Sequence, residues 1–334
     1  MFGRWLDRYD ERRAERGNEV KEQTAFVLDA HFAFQDCRTD VLGIETFCRH
    51  SVSAAADSAF FEIPAEDNLN FKWEQDWIEF PSSVTTEVSE NNIVKSLATT
   101  GKSTDHALIV FHHWNARKRY GRPAKLISQR GVDVFQMAMP YHFERSRPDS
   151  AYADYMLSPS LGRTIQSVRQ AVLDGRKLIR VLEASGYKRI SVLGISLGSW
   201  VAGLVAANDP AVRTASLYLT AGSLADMVWT GRATAHIRSS LAGRINVAQL
   251  NEAWLSLNLE NYARQFARAD LELQIVVAQR DTVVPPDLAK SLITKLRQAS
   301  AKPDVLELNC GHYSFSLPPY ILRAGLGTLR LLAR

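Results

Sequence analysis

From residue 107 onward the chain alternates short apolar runs with longer stretches of helical spacing, and few folds accommodate that order. Residues 107–111 (ALIVF) contain no polar side chain, as a strand buried on both faces requires. Residues 132–139 form a second strand-like run, with a helix-length connector between the two. Ile165, Val168, Val172, Ile179 and Leu182 keep helical spacing and lead through Gly186, a helix stop, into a strand at 189–193. Further strands are expected at 215–220, 271–278 and 305–308, with a crossover helix at 288–296 and a closing helix at 319–332. Such units bury their apolar faces by stacking side by side, so the order predicts an α/β fold: a twisted, mostly parallel sheet with helices on both faces.

A helix-rich stretch, 224–269, interrupts the alternation and reads as a small cap inserted between two strands. The first hundred residues are less regular. Residues 1–40 have helical character, and the neighbourhood of 77–80 reads as antiparallel strands opening the sheet. We therefore expect an N-terminal extension with opening strands over 1–100 and an α/β core over 101–334. The turn-rich segment 143–163 (FERSRPDSAYADYMLSPSLGR) reads as a long functional loop.

One of the strand-to-helix junctions carries chemistry. The strand expected at 189–193 (RISVL) leads into Gly194-Ile195-Ser196-Leu197-Gly198, and a helix of small residues follows. A turn this sharp strains the backbone of its central residue and leaves no room for side chains two residues before and after it. Gly194 and Gly198 meet that demand. Ser196 is then held clear of the surface. The N–H of Leu197, at the start of a helix whose dipole favours negative charge, can receive a developing oxyanion.

This junction resembles the nucleophile elbow of the α/β-hydrolase superfamily, and the resemblance extends over residues 107–334. In that superfamily the nucleophile is followed first by Asp or Glu and then by His. Here LELQIVVAQRD puts Asp281 directly after the strand that follows the insertion, and VLELNCGH puts His312 after the last strand, preceded by Gly311. The resemblance implies a triad of Ser196 as nucleophile, His312 as general base and Asp281 as orienting acid. Asp226, after the preceding strand, is the alternative acid, since some members carry it there. Singly, Asp281 could cap the helix near Pro285 and His312 could satisfy a loop carbonyl. That both fall on the sheet edge of Ser196 favours the triad.

The superfamily draws its second oxyanion donor from the loop after the strand at 107–111, where HG-x is common. This chain reads Phe111-His112-His113-Trp114-Asn115, with His113 at the glycine position. The Trp114 N–H is the best assignment, with His113 and Asn115 as alternatives. Tyr141, His142 and Phe143 follow the next strand and should border the same cleft. Together with His113 they are candidates for substrate contact, and edge-of-core packing is the other reading of the three. His112, His113 and His142 could meet at one edge, but no nearby carboxylate or cysteine completes a ligand set. No metal and no organic cofactor is expected.

Composition removes other classes. The 40 Lys and Arg against 36 Asp and Glu leave a net charge of +4, too small for the footprint of a nucleic-acid binder. The densest basic run, Arg117, Lys118, Arg119, Arg122 and Lys125, reads as the solvated face of a surface helix. The charged first residues lack the apolar core of a secretory signal, and no stretch reaches the roughly 18 apolar residues of a membrane helix. Cys37, Cys48 and Cys310 are too few and too irregular for a disulfide framework. A cytoplasmic protein without stable membrane insertion is expected, with a homo-oligomer left open. The activity implied is hydrolysis of a small-molecule acyl ester. An acyltransferase, a peptidase or a non-catalytic binding protein on the same fold would carry the same motifs.

Overall fold

The computed structural model describes residues 2–19, 21, 23–34, 37, 43–101, 104–150 and 152–334. Among them one sheet of nine strands dominates: β1 (Lys72–Glu74), β2 (Trp77–Pro81), β3 (Ile93–Thr99), β4 (His106–Phe111), β5 (Asp133–Met137), β6 (Arg189–Ile195), β7 (Val212–Tyr218), β8 (Glu272–Ala278) and β9 (Asp304–Leu308). Their spatial order is β1-β2-β3-β5-β4-β6-β7-β8-β9. β1, β2, β3 and β5 pair antiparallel in turn, and every pairing from β5 through β4 to β9 is parallel.

The helices, in chain order, are α1 (Phe2–Glu19), α2 (Ala30–Ala33), α3 (Ile44–Ala56), α4 (Gly121–Ser128), α5 (Leu161–Ala184), α6 (Leu197–Asn208), α7 (Leu224–Thr230), α8 (Ala235–Leu241), α9 (Val247–Ala253), α10 (Pro286–Gln298) and α11 (Tyr320–Leu332). Successive residues of β4 serve opposite layers. Ala107, Ile109 and Phe111 join the core with α5, α6 and α10, whereas Leu108 and Val110 join the smaller core with α4 and α11. Both faces are therefore apolar, which is why β4 carries no alternation. β3, nearer the sheet edge, does alternate between buried and more exposed positions.

Local chemistry sets the helix ends. Ser160 caps α5 by accepting the Arg163 N–H, and Gly186, at φ 98°, lets the chain turn back into β6. The connection from β4 through α4 places β5 on one side of β4, and that through α5 places β6 on the other. The order of strands reverses there, and the C-terminal ends of β4 and β6 flank the crevice that such a reversal opens.

Several boundaries differ from expectation. The basic run does not lie on one helix. α4 begins at Gly121, and Arg119 precedes it with its guanidinium over the rings of Trp77 and Phe143 and paired to both oxygens of Glu144. The planar guanidinium finds carboxylate and aromatic partners together, so Arg119 is a fastener and not a solvated charge. Helical character over 1–40 is realised in α1 and α2, and residues 1, 20, 22, 35, 36 and 38–40 of that stretch lie outside the described residues. α3 and β1 had no clear signal.

The stretch 224–269 contains α7, α8, α9 and short turns, packed against the N-terminal helices. Ser51 of α3 donates to Ala253 O at 2.7 Å, and Cys48 Sγ lies 3.5 Å from Gln249 O. No helix among the described residues is long and apolar enough to cross a membrane.

Candidate active site

β6 ends at Ile195, and Ser196 turns the chain straight into α6 with φ 54° and ψ −125°, a region that costs a non-glycine residue on the order of 1–3 kcal/mol. The fold holds it there by crowding. A Cβ on Gly194 would collide with the Gly198 carbonyl, and one on Gly198 would collide with the carbonyl oxygens of Phe111 and His112. The elbow is thus pressed against the loop leaving β4. Ser196 remains half-exposed, and its N–H donates to Tyr218 O at 2.9 Å. The Leu197 N–H, first in α6, has no intrahelical acceptor.

Asp281 and His312, the expected acid and base, lie beyond β8 and β9 on the same sheet edge. Asp281 is buried, and its Oδ1 accepts the N–H groups of Val283 and Val284 at 2.8 Å each. Its Oδ2 lies 2.7 Å from His312 Nδ1. Asp281 therefore shapes the loop ahead of α10 and orients the imidazole at once. An ionised carboxylate favours the proton on Nδ1, and Nε2, which makes no hydrogen bond among the described residues, is left as the basic nitrogen. Asp226 sits instead on α7, where its Oδ1 accepts from Asn251 Nδ2 at 2.7 Å.

The loop after β4 departs from the expected dihedrals. Positive φ falls at Asn115 (58°), not at His113, so the turn lies two residues later than a glycine pattern would put it, on a residue type that tolerates the left-handed region. The Asn115 N–H donates to His142 Nε2 at 2.9 Å and is thereby removed from the donor candidates. The N–H groups of His113 and Trp114 have no acceptor among the described residues. The Trp114 indole is anchored: Nε1 donates to Ala153 O at 2.9 Å, the ring stacks on His236, and Lys21 Nζ lies 4.2 Å from the ring centre. Burial pushes the Lys21 amine down to about 8.

Tyr141 and His142 are each 2% exposed, which favours the reading of edge-of-core packing over substrate contact. Tyr141 belongs to the main core and packs edge-on against Tyr155. His142 and His112 are wedges. In each, Nε2 accepts a backbone N–H, from Asn115 at 2.9 Å and from Met139 at 3.1 Å, while Nδ1 faces a carbonyl, Pro140 O and His113 O respectively. All four nitrogens are occupied, and no lone pair remains for a metal. Burial holds both rings neutral, His142 down at about 4 and His112 well below its ordinary value.

Phe143 is half-buried between His112 and Arg119. Among the substrate-contact candidates, His113 feels the charge of His312. Its Nδ1 is 2.6 Å from the Tyr120 hydroxyl, and burial, then the charge of His312, push it down to about 4.

Sequence reasoning missed Asp10 and Tyr120, and took Asn115 only as an alternative donor and not as the turn residue of its loop. Asn115 had a signal, as an αL-tolerant residue just past a strand. Asp10 had none, because its partners lie some 300 residues away.

No family model matches this chain, and no curated protein matches it. Solved structures do. An acetyl xylan esterase from Thermoanaerobacterium superposes with a TM-score of 0.62 at 13% identity, covering 88% of this chain and 99% of that one. An acetyl xylan esterase from Paenibacillus gives 0.61 at 13%, with 90% and 98% covered. An acylaminoacyl peptidase from Pyrococcus horikoshii gives 0.60 at 11%, covering 79% of this chain; this chain spans 42% of that protein's length. With these likenesses, the strand order and the strained serine turn between β6 and α6, the chain is a member of the α/β-hydrolase fold.

Proposed function

We propose that the chain is a serine hydrolase that cleaves a carboxylic ester through an acyl-enzyme, without metal or organic cofactor. The observation that carries this reading is the 2.7 Å contact of His312 Nδ1 with Asp281 Oδ2, on the same sheet edge as the strained Ser196. His312 Nε2 takes the Ser196 proton as the hydroxyl attacks the acyl carbon and returns it to the leaving alcohol. Asp281 fixes the tautomer and steadies the imidazolium. The N–H groups of Leu197 and Trp114 receive the oxyanion. Water then repeats the cycle on the acyl-enzyme.

An ester is placed ahead of an amide because the solved structures covered almost end to end, 99% and 98%, are described as acetyl xylan esterases. α7 to α9 act as a small cap over the site, and a reducing cytoplasm suits three buried cysteines. p-Nitrophenyl esters of graded chain length, with fluorophosphonate labelling, test the reading. Turnover with label on Ser196 is expected, and its absence in a folded preparation makes the chain a binding protein.

A further inference from the structure

The described residues place one carboxylate against the triad from outside the α/β core. Leu6, Asp10 and Ala14 form the buried stripe of α1 at helical spacing, with Gly3, Asp7 and Gly17 half-buried beside it. Asp10 is 3% exposed. Its Oδ1 accepts the Tyr313 N–H at 2.5 Å and the Ser314 N–H at 3.1 Å, the two backbone donors directly after His312. Directly before His312, a Cβ on Gly311 would stand 2.5 to 2.7 Å from the Asp10 carboxyl atoms. A side chain at 311 would therefore displace the Asp10 carboxylate. The Gly311 N–H, in turn, donates to Ser314 Oγ at 2.8 Å, which closes the turn under the histidine.

The same helix face reaches the acid. Asp7, three residues before Asp10, pairs with Arg280, the neighbour of Asp281, with Oδ1 accepting from Nε at 2.8 Å. The Arg280 N–H donates to Cys310 O at 2.9 Å and ties the acid loop to the histidine loop. Two carboxylates on one helix face thus fasten the two loops whose contact carries the proposed chemistry. A buried carboxylate is costly unless hydrogen bonds compensate it, and here Oδ1 takes both backbone donors directly after His312 while Oδ2 has no partner among the described residues.

We propose that Asp10 is a positioning residue that fixes the His312 loop in the geometry proton transfer requires, with Asp7 and Arg280 as the weaker second tie. The proposal rests on the hydrolase reading above. Asp10 touches neither substrate nor reacting atoms and acts through the backbone on either side of His312. A histidine displaced by about 1 Å loses on the order of 10²-fold in rate, because proton transfer depends on near-contact geometry.

The test uses the full-length chain. Asp10→Ala should lower kcat, and the rate of fluorophosphonate labelling at Ser196, by about 10²-fold with little change in KM. Asp10→Asn keeps one acceptor oxygen and should recover most of that loss, remaining about tenfold below wild type. Glu11→Ala, which removes a partner of Arg232 on the next position of α1, should leave both rates unchanged. Thermal melts separate position from stability. Folded Asp10→Ala at the wild-type labelling rate overturns the proposal, as does a loss confined to KM. Should Asp10→Ala not fold, Asp10→Asn decides, and a wild-type labelling rate in it overturns the proposal. If the wild-type chain itself takes no label, it is the hydrolase reading that has failed.

Discussion

The Asn115 N–H donates to His142 Nε2 at 2.9 Å, so the loop after β4 and the segment after β5 are pinned to each other. His142 in turn faces Pro140 O through Nδ1, which fixes its ring and the path of the loop it holds. What this leaves toward the crevice is the backbone of His113 and Trp114.

If the Trp114 N–H is the second oxyanion donor, Trp114→Pro should cost about 10²–10³ in kcat, the loss seen when one such donor goes. Trp114→Phe keeps the N–H but loses the indole bond to Ala153 O, and should cost far less in kcat than the proline. Steady-state kinetics on both, with circular dichroism to check the fold, decides it. Equal losses would put the donor on another residue.

Ser196→Ala should abolish turnover and labelling while leaving the melting temperature at or above that of wild type. It removes one half-exposed oxygen, and alanine does nothing to relieve or add crowding at φ 54°. Residual ester cleavage at the wild-type rate in the folded variant would remove Ser196 from the mechanism.

The core was legible because its physics is local. β4 carries apolar residues throughout since both its faces are covered, and the elbow demands glycines at fixed offsets, so Gly194 and Gly198 announced Ser196. That Asp281 and His312 would meet was legible because both follow neighbouring strands at one sheet edge. What could not be read was long-range. Asp10 looks like any charge on a polar helix until α1 packs on the His312 loop. The burial of Tyr141 and His142 could not be read because sequence shows which strand a residue follows and not whether its side chain turns inward. Arg119 looked solvated because its partners, Glu144 and Trp77, come from other elements.

Asp281→Asn should lower kcat by orders of magnitude, because an amide beside Nδ1 no longer enforces the tautomer that leaves Nε2 basic. Asp226→Asn should change activity little, since Asp226 spends its carboxylate on Asn251. Kinetics of the two variants side by side gives the ranking, and the reverse order would assign the acid to α7.

The last prediction concerns acid stability. His106, His112 and His142 are buried, and burial is the leading cause that lowers all three, to about 4 for His106 and His142 and well below the ordinary value for His112. In the unfolded chain they titrate near 6.5. Above that value both states carry neutral rings and the histidines do not oppose folding. As pH falls from about 6.5 toward 4, the unfolded chain binds protons that the folded one refuses, so stability falls with pH, by up to about 1.4 kcal/mol per pH unit for each ring. Asp174 and Glu183 act in the opposite sense, since burial raises both carboxyls and so favours the folded state at low pH, but His113 and His236, which burial also lowers to about 4, add to the three rings, and Arg145 offsets the burial of Asp174. The melting temperature should therefore drop steeply between pH 6.5 and 4.5 and be nearly flat from 7 to 8. His142→Gln, whose amide oxygen can still accept the Asn115 N–H, should flatten the acid limb by removing one titrating ring. A melting temperature constant across that window, or an acid limb unchanged in His142→Gln, would mean that the buried rings accept protons without unfolding the loop they support.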